Sequence, residues 1–424
     1  MTDAQTCCAE FLRASALSRR RFLGAVAAAG ATSVTTSLFG EAVLQASFGA
    51  VPGGNVMVVV SLRGGIDGLG MVVPHGDPAY YVARPVIAIP KSQLVARDAM
   101  FGLHPRMAPL EWLWQNGELA AVQATGMGGT PSRSHFAAMQ EIEEAAPGSS
   151  LRQGWVNRMV GVDADPVDAL HVGSSTPPSL LLGPSPTLAV PALNKVELDG
   201  VDNGWGPRRK RQLSTVWGGH NGPLGQAARS ALSAVDTLAP VAQGVVKPDV
   251  PYPTDNAAAD LAAALRDTAR LIKADLGTEV VSVDYGSWDL HDNYGTLDEG
   301  ITQRLTDIFA RCVDAFMRDL GPLRSRVTLV TISEFGRRVA ENGNQGLDHG
   351  WGNMMLLMGG GVKGGRYYGS WPGLSTSSLA EGDLKVTTDY RQVLGEIVHK
   401  RFPAKDVTEV FPGFSYNPLG LIAG

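Results

Sequence analysis

The chain has 424 residues, of which 44% are hydrophobic and 18% charged, a composition that excludes wholesale disorder and low-complexity repeats. A formal charge of −5 gives no basic footprint, so no nucleic-acid partner is expected. Cys7, Cys8 and Cys312 are too few for a disulfide framework or a cysteine-based zinc site, while 51 glycines and 26 prolines point to many tight turns.

The chain opens with Ser18-Arg19-Arg20-Arg21-Phe22-Leu23, followed by a small-residue apolar run over 24–40. This reads as a twin-arginine export signal, a basic region preceding a moderately hydrophobic one. The expected leader covers 1–46 and the mature chain 47–424, placed in the periplasm or outside the cell. The run is short for a membrane span, and no later segment reaches 18 uninterrupted apolar residues, so no membrane contact is expected after leader removal. Cys312 is then the only cysteine left, and in an oxidising compartment it is best buried.

Val56–Leu62 is a near-continuous apolar run, the pattern of a strand covered on both faces, and 119–125, 280–284 and Val327–Ile332 read likewise. Helical segments are expected at 107–116, 134–145, 257–276 and 302–320. The alternation predicts an α/β fold, a mainly parallel sheet with helices on both faces. The stretch 148–253 is rich in Pro, Gly and Ser and reads as a cap inserted over the sheet, beginning with a short strand near 170–172. Its basic run, Arg208-Arg209-Lys210-Arg211, reads as a solvated loop.

Polar residues gather where the strands end. Asp67 lies in a glycine-flanked turn after the first strand, and its glycines do not match a dinucleotide-binding spacing. After 119–125 come Ser132, Arg133, Ser134 and His135, where a helix begins and its positive end suits an anion. Asp289 and His291 follow 280–284; two apart on an extended segment, they point to one side. Glu334 follows Val327–Ile332. Asp348 and His349 precede a strand at 354–358, which must run antiparallel to its neighbours for this pair to join the others. Ligands of open α/β sheets bind beyond strand carboxyl ends. Carboxylates and imidazoles without cysteine suit a divalent ion such as Zn²⁺, Mn²⁺, Mg²⁺ or Ca²⁺. His104 is expected to cap the helix that follows it.

The leader, the 62–69 segment Leu-Arg-Gly-Gly-Ile-Asp-Gly-Leu, Arg84-Pro85, Arg133-Ser134-His135-Phe136, Trp288-Asp289-Leu290-His291, Ser333-Glu334-Phe335-Gly336-Arg337 and Asp348-His349-Gly350 together resemble the DUF1501 family, over roughly 56–414. That family is similar to the alkaline phosphatase and sulfatase superfamily. The resemblance implies an alkaline-phosphatase-like α/β fold with one or two divalent metals, held by Asp67, Asp289, His291, Glu334, Asp348 and His349. It also implies hydrolysis of a phosphate or sulfate ester, on a small anionic molecule or a glycan. Gly129 stands where the sulfatase pattern carries its reactive Cys or Ser, so Thr130, Ser132 or Ser134 would replace it. Ser134, beside His135 and the helix start, is the first choice, with Arg133 neutralising the transferred group. The alternative is a non-catalytic periplasmic binding or assembly protein that keeps the hydrolase fold.

Overall fold

The computed structural model describes residues 43–44, 53–129, 132–197, 206–220, 222–244 and 246–423. The twin-arginine segment, the leader boundary and Thr130 lie outside these residues. Ten strands form one sheet: β1 Val43–Leu44, β2 Val56–Leu62, β3 Leu119–Gly126, β4 Ala169–Val172, β5 Leu188–Val190, β6 Val280–Tyr285, β7 Val327–Ile332, β8 Asn353–Gly359, β9 Arg366–Tyr368 and β10 Thr388–Asp389. Their order is β1-β5-β4-β6-β2-β7-β8-β3-β9, with β10 also beside β3. Pairings are parallel except at β1 and around β8, which runs antiparallel to both β7 and β3. The reversal of β8 is the one required for Asp348 and His349 to reach the carboxyl ends of the other strands.

All seven residues of β2 are buried, as an unbroken apolar run demands. Alternate residues face opposite layers: Val58, Val60 and Leu62 pack in one cluster, Met57 and Val59 in the other. The first layer takes α3 (Pro223–Gln243), α4 (Ala259–Ala274) and α5 (Ile301–Asp319); the second takes α1 (His135–Glu144) and α6 (Tyr390–Arg401). Each fully buried aliphatic side chain contributes about 1.5–3 kcal/mol, so the two layers together dominate stability. Cys312 on α5 is fully buried, and burial pushes its thiol up to about 12, leaving it unreactive.

Three expectations need correction. Part of 148–253 does not cap the sheet but continues it, because β4 and β5 pair in parallel beside β6. The basic run Arg208–Arg211 lies within helix α2 (Gly206–Gly218), not in a loop. The helix expected at 107–116 is split into a 3-10 segment, Pro105–Leu110, and a short α-helix, Glu111–Gln115. Pro109 has no N–H to give to an α-helical bond there.

His104 caps the 3-10 segment as expected: its Nδ1 accepts from Arg106 N at 3.0 Å. Burial, then the nearby Arg106, lowers its pKa from an ordinary 6.5 to about 3. Only the unfolded chain takes up this proton as pH falls, so the group's contribution is complete above pH 6.5 and fades between 6.5 and 3. Thermal melts should show a falling midpoint over that interval, and His104→Asn, which keeps a capping acceptor without titrating, should flatten it. Identical slopes for both proteins would refute this role.

Candidate metal centre

Five strand ends converge. The loops after β2, β3, β6 and β7 and the loop before β8 meet at one edge of the sheet. Backbone and side chains lock them: Ser333 Oγ donates to Leu62 O at 2.8 Å, and Trp288 N donates to Arg63 O at 3.2 Å. Gly64 N donates to Glu334 Oε1 at 2.8 Å. Gly64 has φ +110°, and a Cβ there would lie 2.7 Å from Asp289 N, so only glycine lets the loops approach this closely. Ser287, one residue before Trp288, is held at φ 75°, a strained backbone of the kind found where a side chain must be aimed.

His135, the first residue of α1, Asp289, His291 and His349 bring their ring nitrogens and one carboxylate oxygen together. Asp289 Oδ1 lies 3.4 Å from His135 Nε2, 3.0 Å from His291 Nε2 and 3.2 Å from His349 Nε2. His349 Nε2 is 3.0 Å from each of the other two Nε2 atoms. The ring of Phe335 packs 4.8 Å from both His135 and His349, fixing their planes.

The opposite nitrogens decide what this means. His135 Nδ1 contacts Glu334 Oε1 at 2.8 Å, His291 Nδ1 contacts Asp348 Oδ1 at 3.2 Å, and His349 Nδ1 contacts the Arg133 carbonyl at 2.8 Å. A carbonyl and ionised carboxylates only accept, so each Nδ1 carries a proton, and in the neutral ring Nε2 presents a lone pair. Neutral Nε2 atoms 3.0 Å apart beside a carboxylate oxygen repel one another unless a positive charge lies among them. Protons answer part of that demand: burial disfavours a charged His135, but its bonds to Asp289 and Glu334 outweigh this and push the ring up to about 9. Burial likewise opposes the Asp289 charge, yet bonds from the three histidines and Arg337 hold it far below the usual carboxylate range.

A divalent ion fits the same demand. His135, Asp289 and His349 form a triangle with edges of 3.0, 3.2 and 3.4 Å. Zinc bonds of about 2.0–2.1 Å at tetrahedral angles place ligand atoms about 3.3 Å apart. His291 stands across the Asp289–His349 edge as a further donor. Each imidazole has its second nitrogen anchored, as in metal sites whose outer partners set ring tautomer and basicity. The donor set therefore fits zinc or a similar borderline ion.

Of the residues expected as metal ligands, the structure brings Asp289, His291 and His349 into this cluster and adds His135, expected as a catalytic group. Asp67 lies outside this cluster. Arg84 Nη1 and Nη2 donate to its two oxygens at 2.6 and 2.8 Å, and Tyr294 OH donates at 2.6 Å, all buried. Glu334 and Asp348 are not at the centre either; their oxygens hold the Nδ1 protons of His135 and His291. Ser134 precedes α1 with an exposed side chain that makes no cap bond. The Arg133 guanidinium is paired with Asp383 at 2.8 Å instead of facing an open anion site. Gly129, at φ +95°, has open space around it. Arg337, carried in the Ser333-to-Arg337 motif but assigned no role from sequence, is the residue missed: it is buried, donates to Asp289 Oδ1 at 2.7 Å, and bonds Gly65 O and Leu347 O.

Residues 252–403 match the family described as "Protein of unknown function (DUF1501)". The match takes in the motifs at 288–291, 333–337 and 348–350 and bears out the resemblance read from them. No curated protein matches the sequence. Among solved structures, the chain is similar to the C-terminal periplasmic domain of EcEptC from Escherichia coli in complex with Zn, at 9% identity and TM-score 0.34, covering 76% of each chain. It is similar to the phosphonate monoester hydrolase of Agrobacterium radiobacter at 8% identity and TM-score 0.37, covering 86% of this chain and 78% of that one. A putative sulfatase from Bacteroides thetaiotaomicron shows 9% identity and TM-score 0.33, with 73% and 65% covered.

Three substitutions separate the roles. His349→Ala should abolish stoichiometric metal in elemental analysis, and Glu334→Gln should weaken metal affinity about 10–100-fold in chelator competition. Asp67→Asn should leave metal content unchanged but destabilise the fold by about 3–5 kcal/mol in denaturant titration, since Arg84 would be left buried without its counter-charge. Metal lost in Asp67→Asn would overturn the assignment.

Proposed function

We propose that the protein is an exported, metal-dependent hydrolase of a phosphate or sulfate ester. The observation that carries this reading is the convergence of three Nε2 atoms on Asp289 Oδ1. His135, Asp289 and His349 would hold the ion, with His291 beside them. When bound, a divalent ion supplies Lewis-acid charge to an ester oxygen and makes a nearby water more acidic.

The chain's own residues prepare that chemistry. Glu334, Asp348 and the Arg133 carbonyl hold the Nδ1 protons, so each ring turns its Nε2 toward the centre, and Arg337 orients Asp289. The N-terminus of α1 starts at His135, so its positive end is directed at the centre, where an anionic ester would gather charge. Ser134, at that terminus, would attack or position the anion, with Ser132 and Thr130 as the other hydroxyls of the loop. The mature chain would be 47–424, sent through the twin-arginine route to the periplasm or beyond. Among the described residues no helix is long and apolar enough to cross a membrane.

A second reading, a periplasmic binding or assembly protein that keeps the fold without turnover, is favoured by one observation. Arg63, Arg84, Arg133 and Arg337 are each paired with a carboxylate of the chain, and Gly129 offers no nucleophile. Zinc- and manganese-loaded protein should hydrolyse 4-nitrophenyl phosphate or 4-nitrophenyl sulfate, with turnover lost in His349→Ala. Metal-replete protein that turns over neither ester, nor 4-nitrophenyl phenylphosphonate, would favour the second reading.

A further inference from the structure

Beside the centre lies an open cleft of about 430 Å³, within the range of small-molecule sites, lined by Asn293, Thr296, Glu299, Arg304, Asn344 and Gln345. Its walls are the loop that runs on from His291 and the loop that leads to Asp348. One side chain joins cleft and centre: Asn342 Nδ2 donates to His291 O at 2.9 Å and Asp348 Oδ1 at 3.1 Å. Asn342 Oδ1 accepts from Asn344 N at 2.9 Å and Gly346 N at 3.0 Å.

The cleft's backbone is held in unusual conformations. Asn293 and Gln345 adopt φ of 50° and 55°. Gly295 and Gly300, at φ +90° and +138°, pack so closely that a Cβ on either would meet the other's Cα at 2.3 Å. Such local strain persists only where the surroundings impose it, and it concentrates at ligand clamps. The lining chemistry is also selective. Amides, a hydroxyl, one carboxylate and one guanidinium present both donors and acceptors, and no aromatic ring lines the cleft. Around the metal centre Arg63, Arg84, Arg133 and Arg337 are neutralised, whereas among the described residues no ion pair engages Arg304 or Glu299. An apolar group placed here would strand these polar atoms without partners.

We infer that this cleft is a subsite for a hydroxyl-rich sugar ring, which carries the ester held at the metal centre. The inference rests on the hydrolase reading for the ester, and on the cleft alone for the ring. The amides of Asn293, Asn344 and Gln345 pair with ring hydroxyls in either sense, Glu299 accepts from them, and the Arg304 fork donates to them.

The test is calorimetric titration of metal-loaded mature protein with D-glucose 6-sulfate and with inorganic sulfate. The sugar sulfate should bind at least about tenfold more tightly, one or two good hydrogen bonds being worth that factor. Arg304→Gln and Asn344→Leu should each remove most of the difference while leaving metal content and sulfate affinity unchanged. Equal affinities for the two probes, or variants that bind the sugar as the parent does, would overturn the subsite. Absence of metal or of aryl-ester turnover would instead count against the hydrolase reading, and sugar binding by the same sample still decides the cleft.

Discussion

The molecule's organisation depends on one constraint: three imidazole Nε2 atoms are made to face a single carboxylate oxygen. Left alone, such an arrangement is repulsive, and side chains would rotate away. They do not, because every ring is fixed at its far side. Glu334, Asp348 and the Arg133 carbonyl each hold an Nδ1 proton, and Phe335 wedges two of the rings. A low-dielectric setting makes this tension stronger, and makes a central positive charge correspondingly more favourable. The fold supplies the geometry. Strands that bring five loops to one edge must include a reversed one, and β8 is that strand.

The second theme is charge compensation inside the protein. Four arginines lie around the centre, and each meets a carboxylate: Arg63 with Glu143 and Asp284, Arg84 with Asp67, Arg133 with Asp383, Arg337 with Asp289. A pair buried on both sides, as Arg84 and Asp67 are, adds little net stability over apolar packing, but breaking it is costly, so it fixes positions. With these guanidiniums compensated, the start of α1 is the positive end of the fold that remains directed at the cluster.

How much of this was legible in the sequence follows from the range of the interactions involved. Val56–Leu62 and Val327–Ile332 are legible because continuous burial leaves a continuous apolar run. Arg366–Tyr368 and Thr388–Asp389 are too short to leave any pattern, and Leu188–Val190 is hidden in a turn-rich stretch. The residues of the centre were legible as strand-end polar groups, but their roles were not. His135 looks like a reacting group beside Ser134 until Glu334, 199 residues away, is seen to hold its Nδ1. Glu334 and Asp348 look like ligands for the same reason, since residue type cannot distinguish a carboxylate that binds an ion from one that orients its ligand.

Asp67 shows the limit most sharply. A carboxylate in a glycine-flanked turn at a strand end is what a metal ligand looks like from sequence, and its local chemistry is correct. What decides its role is Arg84, 17 residues further on, whose guanidinium fills both oxygens, with Tyr294 completing the shell. A guanidinium is a permanent, planar cation that matches a carboxylate through two parallel bonds. It therefore takes the place an ion could have held, without needing supply from solution. The cluster around Asp289 has no such fully coordinated guanidinium: Arg337 donates to Oδ1 alone, and three Nε2 atoms crowd the same oxygen. The same rule of burial and pairing thus separates the two aspartates, filling both oxygens of one within the chain and leaving the other crowded by three imidazole nitrogens.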